Sequence, residues 1–89
     1  MNSVRTERFT KAYFDLPSHI KKATKKTYKI WSANQNHPSL HFKKIFKKQE
    51  IYSVRITLDY RALAVKSEET FIWFWIGNHQ EYDALIASF

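Results

Sequence analysis

The stretch Tyr52-Ser-Val-Arg-Ile-Thr-Leu-Asp-Tyr-Arg-Ala-Leu-Ala-Val-Lys66 decides the fold. Tyr52, Val54, Ile56 and Leu58 alternate with Ser53, Arg55 and Thr57, the period of two that sends successive side chains to opposite faces of a strand. Asp59 is turn chemistry, and residues 60–66 read as the returning, antiparallel strand. After a second turn at residues 67–70 comes Phe71-Ile-Trp-Phe-Trp-Ile76, apolar throughout. A run without polar alternation predicts a central strand covered on both faces. Ile72, Phe74 and Ile76 are expected to meet helices. Phe71, Trp73 and Trp75 would then line the opposite face, for core packing, contact with a protein partner or stacking on bases. Gly77 and Asn78 end the strand.

Working outward, Asn78 is a good N-cap and Glu81 stands three residues on, the spacing of a capping box. Tyr82, Leu85, Ile86 and Phe89 give the helix that follows one apolar face. Upstream, residues 40–46 read as a lysine-rich strand. Residues 34–39, Asn-Gln-Asn-His-Pro-Ser, form a loop. Leu16, Ile20, Ala23, Thr27, Ile30 and Trp31 recur at helical spacing, with Lys21, Lys22, Lys25, Lys26 and Lys29 on the other faces, so residues 18–33 are a helix with Pro17 at its first turn. Residues 10–16 form a shorter helix, ended by Pro17, and residues 3–9 a first, edge strand. The order is strand, two helices, three or four strands, helix. It predicts one α+β domain over residues 1–89: a small twisted antiparallel sheet, two N-terminal helices on one face and a short C-terminal helix.

The chain has 89 residues, one glycine, two prolines and fifteen aromatic rings. So short a domain needs a well-filled core, and each large ring buries roughly 150–250 Å². The absence of cysteine excludes disulfides, thiolate metal sites and a cysteine nucleophile, and fits a cytoplasmic setting. Residues 1–10 have no apolar core of a signal peptide, so none is expected, and the longest apolar run is too short to span a membrane. The net charge is +7 and is concentrated: residues 11–48 hold ten lysines and one acid, Asp15, a net of +9, whereas the remainder is at −2. Local basic density attracts polyanions by counterion release and steering, so the expected partner is anionic, RNA above all.

Phosphate-loop, dinucleotide, zinc-finger and metalloprotease motifs are absent. His37 and His41 have no third ligand near them, so neither metal nor cofactor is expected. Arg55 and Arg61 sit in strands that flank one tight turn. There they either hold a phosphate, for which guanidinium is the matching fork, or form ion pairs with acids such as Asp59 or Glu50. His79 lies in the first turn of the last helix, where the dipole disfavours a second positive charge. It is therefore a candidate proton acceptor, or else a solvated residue after the cap. Tyr82, one turn on, is a candidate for catalysis or for the apolar face.

The segments His37-Pro-Ser-Leu-His-Phe-Lys-Lys, Tyr52-Ser-Val-Arg-Ile with Asp59-Tyr-Arg-Ala-Leu, and Trp75-Ile-Gly-Asn-His-Gln-Glu-Tyr-Asp, in this order and spacing, resemble the RelE/ParE superfamily of bacterial type II toxin–antitoxin toxins. The resemblance covers nearly the whole chain and implies the RelE/ParE-like fold. It further implies a ribosome-dependent mRNA endoribonuclease, in which a ribose 2′-OH attacks its own phosphate without a metal. Arg55 and Arg61 would stabilise the transition state, with His79 and Tyr82 as proton-transfer candidates. Lys43, Lys44, Lys47 and Lys48 would grip the RNA backbone. A cognate antitoxin, mRNA and the ribosome are the implied partners. Departures from the best-known members are the short C-terminus, a histidine in place of an arginine near position 79, and a tyrosine closer to the glycine turn. The alternatives are a gyrase-poisoning branch of the superfamily and an RNA-binding module without catalysis.

Overall fold

The computed structural model describes residues 2–88. Strand β1 (Asn2–Arg5) leads into helices α1 (Glu7–Phe14) and α2 (Ser18–Ala33). A single 3-10 turn, Pro38–Leu40, and a two-residue strand β2 (Lys43–Lys44) follow. Strands β3 (Ile51–Arg55), β4 (Tyr60–Ser67) and β5 (Thr70–Asn78) and helix α3 (His79–Ala87) complete the chain. The sheet order is β1-β5-β4-β3-β2. The four later strands form the expected antiparallel meander, while β1 runs parallel to β5, so the sheet as a whole is mixed. Among the described residues, no helix is long and apolar enough to cross a membrane.

The first strand is shorter than the pattern suggests because Thr6 caps a helix. Its hydroxyl accepts from the Phe9 backbone N–H at 3.1 Å, which moves Phe9 from strand to helix. Phe9 and Tyr13, at i and i+4, then form the buried face of α1. Helix α2 buries Ile20, Thr24, Thr27 and Trp31 and leaves its lysines toward solvent. Thr24 is tolerated inside because its hydroxyl donates to the Ile20 carbonyl at 2.7 Å. The predicted strand over residues 40–46 is mostly irregular: Leu40 is buried in the 3-10 turn, and only Lys43 and Lys44 pair with β3. Leu58 leaves the alternation of β3 and lies exposed in the turn at residues 56–59.

The core lies between the helices and one sheet face. It contains Phe9, Tyr13, Trp31, Leu40, Val54, Ala62, Ala64, Phe71, Trp73 and Ile76. Trp31 sits at its centre, with its ring 5.3 Å from Phe71 and 5.2 Å from Trp73, both near perpendicular. Edge-to-face pairs of this kind add about 0.5–1.5 kcal/mol each beyond the area they bury.

The aromatic stripe is divided differently from the sequence expectation. Phe71 and Trp73 face the helices, not the far side. The register slips between Leu63 and Ala64, which pair with Trp75 and Trp73, so Phe74 is the extra residue of a β-bulge. Beyond it Ile76 rejoins the helix side, and Trp75 alone of the three aromatics crosses to the opposite face. There it meets α3 through Tyr82, with ring centroids 6.2 Å apart. Of the four residues expected on the apolar face of α3, Tyr82, Leu85 and Ile86 are half-buried, and Phe89 lies outside the described residues.

Candidate functional site

The site is built on the sheet face that α1 and α2 leave open. Val54 pairs with Ala62 in the helix-side core, so Arg55 and Arg61, each one residue along, point the other way. They are directly opposite each other across the ladder, and Gly77 is opposite Arg61 on the next strand. Among the described residues neither arginine pairs with Asp59 or Glu50. Arg55 Nη1 instead lies 2.9 Å from His41 Nε2. A guanidinium only donates, so in this contact the acceptor is His41 Nε2. Arg61 Nη1 donates to the carbonyls of Thr57 at 2.7 Å, Tyr60 at 3.1 Å and Leu58 at 3.3 Å, stapling the β3–β4 turn. A guanidinium has five N–H donors, so anchoring through one nitrogen does not exhaust it.

That turn also fixes His79. The Asp59 carbonyl accepts the His79 backbone N–H at 2.6 Å, tying the start of α3 to the loop that Arg61 holds. Asn78 caps the helix, and the capping box with Glu81 is closed as the sequence predicts: Asn78 Oδ1 accepts from Glu81 N at 2.8 Å, and Glu81 Oε1 accepts from Asn78 N at 3.0 Å. His79 Nδ1 lies 3.0 Å from Asp83 Oδ2, one helical turn on, which orients the ring and leaves its side chain half-exposed. Tyr82 wedges between His79 and Trp75, its ring centroid 6.2 Å from each. The lone glycine is required here. A Cβ on Gly77 would stand 2.6 and 2.8 Å from the Trp75 ring.

The two arginines share one face, and His79 opens the helix that packs on that face through Tyr82 and Trp75, but the lysines do not gather as one group around them. Lys43, opposite Ser53, shares the arginine face. Lys44, opposite Tyr52, turns to the helix side and binds Glu50 at 3.0 Å, a hydrogen bond that, with the Lys44 charge behind it, holds the Glu50 carboxyl below its usual range. Lys47 and Lys48 are exposed in the loop before β3. The α2 lysines lie across the sheet, three of them (Lys21, Lys22 and Lys25) lining a largely apolar groove of about 800 Å³ between the helices and the sheet. Phe9, Tyr13, Trp31 and Trp73 are among its lining residues, as are Lys21, Lys22, Lys25 and Arg5. The charge block, continuous along the sequence, is thus split between two faces. His37 Nδ1 accepts from Ser39 N at 3.2 Å, and His41 serves Arg55, so the two histidines face different partners.

His41 is the residue that sequence reasoning missed at this site. Its only signal was its place just past a Pro-Ser-Leu turn. No periodicity shows that it crosses to Arg55.

The family model for the ParE-like toxin domain matches residues 17–84. The chain belongs to the ParE-like toxin family. No curated protein matches it significantly. Its fold is that of RelE-type toxins. The RelB–RelE antitoxin–toxin complex from Methanococcus jannaschii aligns with a TM-score of 0.72 at 23% identity, covering 91% of this chain and 96% of that one. YafQ from E. coli gives 0.71 at 8% identity, over 91% and 96%. The YoeB dimer from Staphylococcus aureus gives 0.68 at 14%, over 89% and 97%. At such identities these likenesses speak for the fold, and the family model carries the membership.

Proposed function

We propose that this ParE-like protein is the toxin of a type II toxin–antitoxin pair in the cytoplasm, and that it cleaves mRNA on the ribosome by attack of a ribose 2′-OH on the adjacent phosphate. The observation that carries this reading is the register pairing of Arg55 with Arg61, beside a His79 that Asp59 anchors and Asp83 orients. The phosphorane transition state concentrates negative charge on non-bridging oxygens. Two guanidiniums on one face supply this stabilisation, Arg61 while its Nη1 stays anchored to the turn carbonyls. A histidine with one nitrogen held by a carboxylate presents the other for proton transfer. Lys43, with Lys47 and Lys48 nearby in the chain, supplies backbone contacts. These residues need no metal, and among the described residues no cluster of three or more His, Asp or Glu is placed to hold one.

The apolar groove between α1, α2 and the sheet, with its basic rim, fits an acidic amphipathic segment of an antitoxin. The RelB–RelE complex is a precedent for such a partner.

The test is an in vitro translation reaction with purified protein, followed by mapping of transcript ends. Cleavage leaving a 2′,3′-cyclic phosphate and a 5′-hydroxyl is expected. Removing one charge-stabilising donor typically costs about 10²–10³ in rate, and this is the expectation for Arg55→Ala or Arg61→Ala. His79→Ala is expected to cost on the order of 10²–10⁴. Intact transcripts together with inhibition of gyrase supercoiling would place the chain in the gyrase-poisoning branch instead.

A further inference from the structure

The ribonuclease reading requires two proton-transfer groups, a base for the 2′-OH and an acid for the leaving 5′-oxygen, and His79 supplies one. We propose that His41 is the other, acting as the general base, with His79 as the acid. The inference rests on the ribonuclease reading and adds a catalytic residue to it.

Three observations meet at His41. The first is its backbone, which has a φ of +46°, in the left-handed region that non-glycine residues seldom occupy. The conformation is held from one side by Leu40, 1% exposed in the helix-side core, and closed by the His41 N–H donating to the Pro38 carbonyl at 3.4 Å. The reversal directs the His41 side chain to Arg55, although Leu40 before it and Phe42 after it both pack on the helix-side core. Backbone strain maintained in this way is a pointer to function.

The second is protonation. Because Arg55 must donate, Nε2 of His41 offers a lone pair toward the guanidinium. Once a phosphate takes that guanidinium, the lone pair is released beside the phosphate, in the form a base needs. His79 is in the complementary condition. Its Nδ1 faces the Asp83 carboxylate, which can support an imidazolium ring as it donates a proton from Nε2.

The third is arrangement. His41, Arg55, Arg61 and the Gly77–His79 corner form a row across neighbouring strands. Strands lie about 4.8 Å apart, so Arg55 and Gly77 are separated by roughly 10 Å, with Arg61 between them. The His41 ring meets the pair at Arg55, and the corner that carries His79 adjoins it on the Arg61 side. A linkage lying over that pair has its 2′-oxygen toward one and its 5′-oxygen toward the other.

The step balances. His41 Nε2 takes the 2′-OH proton as the 2′-oxygen bonds to phosphorus. The phosphorus–5′-oxygen bond breaks, and His79 gives its proton to the departing oxygen. The products are the cyclic phosphate and a free 5′-hydroxyl, with the two histidines left in exchanged protonation states that water restores.

The experiment uses the intact protein with a synthetic mRNA, free and bound in ribosomes. The mRNA is made once with the natural linkage and once with a sulfur replacing the bridging 5′-oxygen. Thiolate leaves without an acid, so His79→Ala should regain most of its lost rate on the sulfur substrate. His41→Ala should stay slowed by about 10²–10⁴ on both. His41→Gln keeps an acceptor for Arg55 but cannot carry the proton, and should be as slow as His41→Ala. Melting curves confirm that each variant is folded. The acidic limb of the pH–rate profile should vanish in the His41 variants and the basic limb in His79→Ala. The assignment is overturned if either His41 variant cleaves within about threefold of wild type, or if sulfur rescues His41→Ala. A wild-type protein that cleaves neither form of the RNA removes the ribonuclease reading as well, an outcome distinct from a failure of His41 alone.

Discussion

Replacing Gly77 by alanine tests whether the corner that presents His79 is as closely packed as its geometry requires. The added methyl would stand 2.6 Å from Trp75 Cζ2, 2.8 Å from Cη2 and 3.0 Å from Glu81 Oε1. Carbon–carbon contacts prefer about 3.5–4.0 Å, so the indole must retreat by most of an ångström. It is backed by Tyr82. Glu81 cannot yield freely either, because the same oxygen accepts the Asn78 N–H in the capping box. Overpacking of this kind costs about 1–3 kcal/mol. Against it stands a backbone gain. Gly77 does not have a positive φ, and alanine at a compatible position stabilises by about 0.4–1 kcal/mol through the unfolded chain. The clash wins, for a net loss of roughly 1–2 kcal/mol. In a domain this size that corresponds to a fall in Tm of roughly 4–16 °C. Urea unfolding should show a lower midpoint with an unchanged slope. Repeating the substitution in a Trp75→Leu background should lower its cost by at least about 0.5 kcal/mol, the coupling expected of residues in contact. An equal cost in both backgrounds, or none in the first, would refute the reasoning.

Asn78→Ala removes the acceptor for the Glu81 N–H and should cost about 1 kcal/mol, read as a lower Tm. The Lys44–Glu50 pair gives a pH test. The hydrogen bond from Lys44 holds the Glu50 carboxyl below its ordinary value of 4.5, so the pair's stabilisation is present above about that pH and is lost as pH falls through the folded value. The difference in urea midpoint between wild type and Glu50→Gln should therefore shrink between pH 7 and pH 3; a difference that grows would contradict it. Charge reversal of Lys22 and Lys25, both lining the apolar groove, should weaken the antitoxin complex more than about tenfold, or 1.4 kcal/mol, by calorimetry.

The meander was legible because alternation in β3 and the apolar run of β5 are local patterns with a direct physical cause. The capping box at Asn78 was legible for the same reason. Three features were not. Thr6 caps α1, but a threonine before charged residues also reads as strand, and only the Phe9 N–H decides between them. The bulge at Phe74 leaves no mark in a run where every residue is apolar, so strict alternation put Trp75 and Ile76 on their correct faces but Phe71 and Trp73, before the bulge, on the wrong one. The link between β1 and β5 joins residues about 70 positions apart, as between Ser3 Oγ and Trp73 Nε1, beyond any local pattern. At the site, Arg55, Arg61 and His79 could be picked out because strand pairing and a helix start place them. His41 could not, because its position depends on a single left-handed residue.

The division of charge between two faces changes what the lysines can do. Counted along the sequence, residues 11–48 form one basic block. In the fold, the α2 lysines stand beyond the sheet from Arg55 and Arg61. A packed layer is on the order of 10 Å thick, whereas the Debye length at physiological salt is about 8 Å. Across that distance and through solvent, the α2 lysines are largely screened from a phosphate at the arginines. They are placed to attract a polyanion or an acidic partner to their own face. On the proposed ribonuclease reading, charge stabilisation at the scissile linkage would fall to a few directional donors, Arg55 and Arg61 with Lys43 beside them. Their strength would come from fixed geometry rather than number, and geometry is what the Thr57 and Tyr60 carbonyls and the Asp59–His79 bond provide.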